Sequence, residues 1–541
     1  MSAAEKEPGF SAYAGRWIAR LWGRVVGQGG TPGQALHAAQ STRHKEIPEV
    51  SFVPTPSPLS FPPLVDQVRQ ALPDPITVYL VGGAVRDAFL GKPSQDLDFA
   101  VAKDALKLAR KIANLLGGAY YRMDDENETG RVILTGAGGE RSILDFAVFR
   151  GADLEADLAG RDFTINAMAV DIRAPQELLD PLGGVADLAQ KIIRACGPAS
   201  LSDDPVRVLR AVRFAAGMKF TIQPETRQLA KQAASKLPQV SPERLRDELF
   251  KILSVPQSAV SMRALDILGA LDEVLPELPP LNQVQPPPPH LEDVWAHSLH
   301  VAGNLERLLA LLDLGYAHNN EDGGDLVTGL VSLKLGRYRP QLSEHFSQKL
   351  NFDRSYRPLF MLAALYHDSG RIQEEESFDA HARRGAEIMR KRADALRLSN
   401  PETERAVNIV RYHQLPRALI HGGGQIDDLA VYRYFRETGP AGVDIALLSL
   451  ADLLARHGPG LSADVLDEHI GLVRSLWEAY WEHPEKVDPP ALLDGNDLMR
   501  ALKLKPGKQI GAMLEAVREA QVTGAVADKE GAIELARGMA R

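Results

Sequence analysis

The stretch Tyr79–Val101, YLVGGAVRDAFLGKPSQDLDFAV, decides the fold of the first half of the chain. An apolar run, Val78 to Val81, meets Gly82-Gly83, and a short amphipathic pattern opens at Ala84. Two residues without side chains therefore stand where a strand turns into a helix, and backbone N–H groups at a helix start can face phosphate oxygens. After a turn at Gly91–Pro93, a second strand carries Asp96 and Asp98. The two-residue period of a strand puts both carboxylates on one face, and hard oxygen ligands so placed suit Mg²⁺.

Taken singly, a Gly-Gly pair is an ordinary turn and D-x-D an ordinary solvated strand edge. The order G-G-x-V-R-D then D-L-D-F within about 15 residues is far more specific. It resembles the signature of the polymerase-β-like nucleotidyltransferases, in particular the bacterial tRNA nucleotidyltransferase (CCA-adding) and poly(A) polymerase family of class II. The resemblance implies an α+β catalytic head followed by an all-α neck, an HD phosphohydrolase-like domain and a helical C-terminal body.

The rest of the chain fits such an organisation. At 541 residues it exceeds one ordinary domain. Its one cysteine, Cys196, excludes an intramolecular disulfide and fits a reducing, cytoplasmic setting. No apolar run approaches the ~20 residues of a membrane span, so no membrane partner is expected. The net charge of −9 argues against indiscriminate nucleic-acid binding and leaves room for a local basic groove. The oligomeric state stays open.

Residues 1–62 read as a disordered or weakly ordered tail, because Ser51–Pro63 holds five prolines. Within it, Tyr13–Val26 reads as an amphipathic helix with Arg16, Arg20 and Arg24 four apart, docked on the protein itself or disordered, with RNA or a membrane surface as the alternative. Residues 63–200 alternate helix and strand, with strands at Ile76–Val81, Asp96–Val101, Ala119–Met123, Arg131–Thr135 and Ile143–Phe149. From about 200 helical periodicity takes over: a neck at 201–275, a proline-rich linker at Pro276–Pro289, an HD domain at 290–460 with an insertion at about 314–354, and a body at 461–541.

Transfer of a nucleotide to a hydroxyl uses two metal ions about 3.5–4 Å apart. Asp96 and Asp98 are the candidate ligands, with Asp145 as a third carboxylate or a surface residue of a half-buried strand. Gly160–Ala169 resembles the family's R-R-D-F-T-x-N-A block, which implies nucleotide contacts from Arg161, Asp162 and Asn166; Gly160 replaces the first arginine. With Gly82, Gly83 and Arg86 these form the candidate nucleotide site. Asp203–Phe214 resembles the E-D-x-x-R motif and adds Asp204, Arg207, Arg210 and Arg213. On a helix Asp204 and Arg207 share a face. A carboxylate only accepts hydrogen bonds and a guanidinium only donates, so the pair admits the edges of cytosine and adenine and rejects uracil and guanine. The competing reading is a surface salt bridge.

Farther on, His297, His367-Asp368 and Asp452 occur in the order of an HD metal site, with His381 and His413 as further candidate ligands for a divalent transition metal. Such domains also persist as inert scaffolds. The resemblance implies tRNA 3′-end nucleotidyl transfer with CTP and ATP as substrates and Mg²⁺ in the head. Alternatives are an HD-type phosphohydrolase acting on RNA ends or cyclic phosphates, and a poly(A) polymerase. Family members that build a whole CCA end carry a flexible loop of roughly a dozen residues after the strand at Ile143–Arg150, where function lives on loops. Here only Gly151, Ala152 and Asp153 precede the next helix, which implies addition of C and poor addition of A. Asp124–Arg131 is the segment that could replace the loop.

Overall fold

A computed structural model describes residues 13, 15–41, 46–53, 59–73, 75–124, 128–136, 140–285, 292–315, 325–351, 354–372, 379–421 and 426–540. The chain divides into two units, Met1–Lys236 and Leu237–Arg541.

The first unit opens with β1 (Arg16–Leu21), β2 (Arg24–Gly29), α1 (Pro32–Gln40) and β3 (Glu49–Val53), an antiparallel sheet in the order β2-β1-β3. Among the described residues this corrects the tail expected at 1–62, over 15–41 and 46–53, and the helix expected at Tyr13–Val26. Arginines four apart suit one strand face as well as one helix face. Here Ile18, Ala19 and Leu21 are buried, and Ala35 and Ala39 of α1 close a small core over Ala19. Trp17 Nε1 donates to Leu178 O at 2.8 Å, Asp180 N to Gly30 O at 2.6 Å and Gln34 Nε2 to Pro181 O at 2.9 Å, so the element is bonded to the segment 178–181.

The head follows as α2 (Pro63–Ala71), β4 (Tyr79–Val81), α3 (Gly83–Phe89), β5 (Asp96–Val101), α4 (Ala105–Leu116), β6 (Ala119–Asp124), β7 (Thr129–Thr135), β8 (Arg141–Val148), α5 (Leu154–Ala159), β9 (Ala169–Asp171), β10 (Leu178–Leu179) and α6 (Gly184–Gln190). The seven strands lie in the order β10-β9-β4-β5-β8-β7-β6, antiparallel except for the β5–β8 pair. Leu97 and Phe99 face inward, Phe99 stacks on Phe146 at 4.8 Å, and Asp96 and Asp98 face outward, as the alternation of a half-buried strand requires. α4 buries Leu108 and Ile112 beneath β7 and β8.

The neck expected as one piece at 201–275 is divided. α7 (Ser200–Asp203) and α8 (Arg207–Met218) belong with the head, because Ile192–Ile193 pairs in parallel with Thr221–Ile222 and Ala195 N donates to Thr226 Oγ1 at 2.9 Å. Among its described residues the second unit is entirely helical. The helices Val294–Leu311, Ala380–Ala395 and Gly442–His457 carry His297, His381 and Asp452, while His367 and His413 cap the C-terminal ends of Tyr356–Tyr366 and Asn400–Tyr412.

The insertion expected at 314–354 is built into this unit rather than added to it. His345 Nε2 meets Asp444 Oδ1 at 2.7 Å, and Arg354 forks onto Glu402 at 2.8 and 2.6 Å. Asp444 is fully buried and also takes Tyr356 Oη–H and Arg405 Nη1–H, which answers its lost hydration. The stretch Asp428–Gly460 is long and apolar enough to cross a membrane, contrary to the reading that no such run exists. Its most apolar window is 78% buried, the signature of core helices. The linker residues 286–289 and the segment 125–127 lie outside the described residues. Near the C-terminus, Leu498, Met513, Val517, Ala532 and Ala536 form a separate small core.

Candidate active site and candidate metal centre

β4 ends at Gly82, whose φ of +74° is a left-handed conformation that favours glycine. A Cβ there would lie 3.1 Å from Arg161 Nη1 and 3.3 Å from Asp98 Oδ2, so close approach also demands glycine. Val81 pairs with Asp98, and Asp98 pairs in register with Asp145 on β8. The turn, Asp98 and Asp145 thus line up across three neighbouring strands, with Asp96 one pleat away.

Asp145 stands on that face but is clamped: Arg131 Nε and Nη2 donate to its two oxygens, both at 2.8 Å. The Asp98 carboxyl is raised above the ordinary carboxylate value. Desolvation by the surrounding groups is the main cause even though the residue has an exposed outer face; Arg161 opposes the rise, while Asp145 and Asp96 add to it. Crowded carboxylates on a solvent-facing strand surface are the donor set a hard divalent cation would relieve, so the residues fit a metal site.

Behind this face lies a second cluster. Asp162 is buried and accepts from Phe163 N (2.8 Å), Asn166 Nδ2 (3.0 Å), and Arg210 Nε and Nη2 (2.8 and 2.6 Å). Burial alone would raise its carboxyl, but Arg210 and Asn166 hold it below the usual value. Arg86 Nη1 donates to Asn166 Oδ1 at 2.7 Å. The guanidiniums of Arg86, Arg210 and Arg213 gather at 5.1, 5.3 and 4.3 Å from the ring of Phe214. Arg161 is held by Asp157, with Nε at 3.1 Å and Nη2 at 3.0 Å, and the same Asp157 takes Arg150 N–H at 3.0 Å. One buried carboxylate therefore fixes both the link after β8 and an arginine of the site.

The shared helix face predicted for Asp204 and Arg207 is not what forms. Asp204 precedes Pro205, which disfavours helical backbone before it, and adopts an extended conformation (φ −141°, ψ 91°). α8 begins only at Arg207. Arg207 is 8% exposed; its Nη1 donates to the carbonyls of Arg161 (3.1 Å) and Ser200 (3.0 Å) and its Nη2 to Gly160 O (3.0 Å), while Nε stays 3.7 Å from Asp204 Oδ2. Sequence reasoning missed Arg131, Asp157 and Phe214. Arg131 and Asp157 became legible only through strand register and loop closure, whereas Phe214 already ended the quoted neck motif.

In the second unit, His297, His367 and Asp452 bring one ligand atom each within 4.8 Å of one another, and Asp368, His381 and His413 do the same. All six candidates predicted from sequence come together. His367 Nδ1 lies 2.7 Å from Ala364 O and His413 Nδ1 2.8 Å from Val410 O, so each ring gives its proton to its own helix and turns Nε2 to the cluster. His367 Nε2 and Asp368 Oδ1 are buried without a hydrogen-bond partner.

Burial pushes the His367 imidazole down to about 4, which keeps it neutral and ligand-competent. Burial would raise Asp368 and Asp452, yet His367 and Arg371 hold the first, and Arg456 and His297 the second, well below the usual carboxylate range. Mixed imidazole and carboxylate donors with orphaned buried atoms fit divalent metal.

The strand-turn-helix, the outward carboxylates and the arginine cluster define a nucleotidyltransferase head of the polymerase-β type. Residues 78–153 and 145–194 match the poly(A) polymerase head domain, 219–281 the probable RNA and SrmB-binding site of polymerase A, 338–455 the HD domain, and 487–536 the putative tRNA nucleotidyltransferase domain 2. The chain is 31% identical over 458 residues to the CC-adding tRNA nucleotidyltransferase of Geobacter sulfurreducens, covering 83% of this chain and 88% of that one. It is 33% identical over 461 residues to the A-adding tRNA nucleotidyltransferase of Deinococcus radiodurans, covering 84% and 93%. In fold it resembles a CCA-adding enzyme solved with ATP (TM-score 0.57, 24% identity, 88% and 94% coverage) and the Thermotoga maritima CCA-adding enzyme solved with tRNA (0.53, 23%, 88% and 94%). The protein belongs to the tRNA nucleotidyltransferase family and is a nucleotidyltransferase.

Proposed function

We propose that the protein adds cytidines, and adenosine poorly, to the 3′ end of tRNA, using CTP without a nucleic-acid template. Asp96 and Asp98 would hold Mg²⁺, with Asp145 beside them, and bound Mg²⁺ supplies charge neutralisation and alignment of the attacking hydroxyl with the α-phosphate. Gly82 and Gly83 leave room for the phosphates, and Arg161, set by Asp157, reaches toward the same groove. Asp162, Asn166, Arg86, Arg210 and Arg213 form a preorganised base for the ribose and triphosphate. Asp204 supplies the acceptor for an exocyclic amino group, and Arg207 Nη2 carries a second N–H beyond the one given to Gly160.

The observation that carries the C-only reading is the link after β8. Asp153 caps α5 by accepting Ala156 N–H at 2.8 Å, and Arg150 N–H is bonded to Asp157, so the link is closed at both ends by short hydrogen bonds. A link this short cannot act as a lever that reshapes the pocket from C to A. Relatives named CC-adding and A-adding are about equally similar, so the choice between them rests on this link. Offering a tRNA transcript without its CCA end CTP and ATP separately and together, then sequencing the products, tests the proposal: ends in CC support it and complete CCA rejects it.

The six-ligand cluster of the second unit supports a second reading for that unit, a divalent transition-metal centre with phosphohydrolase activity on RNA ends or cyclic phosphates. His367 Nε2, orphaned and neutral, is the observation behind it. Turnover of 2′,3′-cyclic nucleotides that disappears in His367→Ala, with nucleotide addition retained, is the expected result; no turnover with Mg²⁺, Mn²⁺ or Ni²⁺ would reject it.

A further inference from the structure

We propose that the N-terminal ββαβ element is an RNA-contacting module, in which Trp22 stacks on a base of the tRNA and the arginines around it meet the backbone phosphates. This rests on the reading of tRNA as substrate. Every family match begins at residue 78 or later, so the element stands outside what the family accounts for.

Three observations carry the proposal. First, β1 and β2 are joined by Trp22-Gly23, with φ of +48° and +77°. Positive φ at both central residues is the sense of a type I′ hairpin turn, which asparagine or glycine makes without strain and a bulky aromatic makes at a cost. The chain nevertheless places tryptophan there. Second, Trp22 is 76% exposed, while docking of the element uses Trp17, Gly30 and Gln34. A Cβ on Gly30 would fall 1.3 Å from Asp180 O, so the element sits against the head without a gap at this point.

Third, the hairpin itself is basic: β1 and β2 carry Arg16, Arg20 and Arg24 and no carboxylate, in a protein whose net charge is −9, and the element's strand carboxylate Glu49 lies on β3 opposite Arg20. Aromatic faces interleaved with arginines are how proteins hold unpaired or end-stacked bases. The docking segment also leads to the nucleotide cluster. Asp180 caps α6 through Gly184 N (2.6 Å) and Val185 N (3.0 Å), and Asp187 of α6 accepts Thr164 Oγ1–H at 2.6 Å.

The test compares Trp22→Ala, Trp22→Phe and Trp22→Asn in the full chain, with tRNA lacking CCA as the probe. Binding is read by gel shift without nucleotide, and addition by the KM for tRNA and for CTP. Loss of one base stack predicts about a tenfold weaker tRNA binding and a similar rise in tRNA KM for the alanine and asparagine variants, with phenylalanine near wild type. The KM for CTP and kcat stay unchanged. Trp22→Asn relieves the turn, so weakening in that variant reports the lost ring rather than misfolding. tRNA affinity within twofold of wild type in all three variants overturns the proposal. Failure of the wild type to extend tRNA would reject the substrate reading instead, and the gel shift would still decide this one.

Discussion

Asp96 and Asp98 stand on the outer face of β5 among other carboxylates, whereas His297, His367, Asp368, His381 and His413 are each buried to 3% exposure or less, apart from His413 at 6%. The first cluster offers only oxygen, on the solvent-facing side of a strand. The second offers imidazole nitrogen and carboxylate oxygen among packed helices, where His367 and His413 spend their second ring nitrogen on a backbone carbonyl. Each donor set follows from its element: a half-buried strand keeps its outer face wet, while polar atoms enclosed by a helix bundle are costly unless paired or ligated. The contrast separates two chemistries in one chain, so each can be removed without the other.

The largest effect should come from Asp98→Ala. The several kcal/mol that a bound metal ion contributes to phosphoryl chemistry correspond to roughly a thousandfold or greater loss in kcat for nucleotide addition. Because the side chain faces the groove, the thermal unfolding midpoint should stay put; retained activity would sink the metal assignment. His367→Ala should abolish metal uptake by its triad, measured by elemental analysis, and leave nucleotide addition within about twofold, since sites that share no partner residues act independently. Equal loss of both activities would break the contrast.

Asp162→Ala removes the acceptor of Arg210, Asn166 and Phe163 N–H. It should cost about 2–3 kcal/mol of stability of the first unit, the size of charged hydrogen bonds left unmade, and raise the KM for CTP. A carboxyl held low in the folded state stabilises above its unfolded pKa, so this contribution is lost as pH falls through the acid range, and urea midpoints measured against pH should show it.

The smallest effect concerns His469, buried at 2.9 Å from Ser449 Oγ and pushed down to about 4 by burial and Arg456. Its unfolded imidazole titrates near 6.5, so between these values the unfolded chain binds more protons and stability of the second unit falls as pH drops. His469→Gln should flatten that slope in pH-dependent unfolding.

Much of this was legible in residue order. The alternation of Asp96, Leu97, Asp98 and Phe99 fixed the face of β5, and the apolar runs before His367 and Asp452 placed those ligands on buried helices. What could not be read depended on partners far apart in sequence. Arg207 looked like half of a surface pair, yet it is spent on carbonyls of Gly160, Arg161 and Ser200. Tyr13–Val26 fitted both a helix and a hairpin, and only the burial of Ile18 and the bond from Trp17 to Leu178 decide between them. The 314–354 segment lacked a recognisable motif, and its integration shows only through contacts such as His345–Asp444 and Arg354–Glu402.

The central claim is that the head adds C but lacks the lever for A. The most direct measurement is the sequence of tRNA 3′ ends after incubation of a transcript lacking CCA with purified protein, Mg²⁺, CTP and ATP, alongside a variant with a flexible loop of about a dozen residues grafted between Arg150 and Leu154. The account predicts ends in CC for the native chain and terminal adenosine only with the graft; complete CCA from the native chain would contradict it.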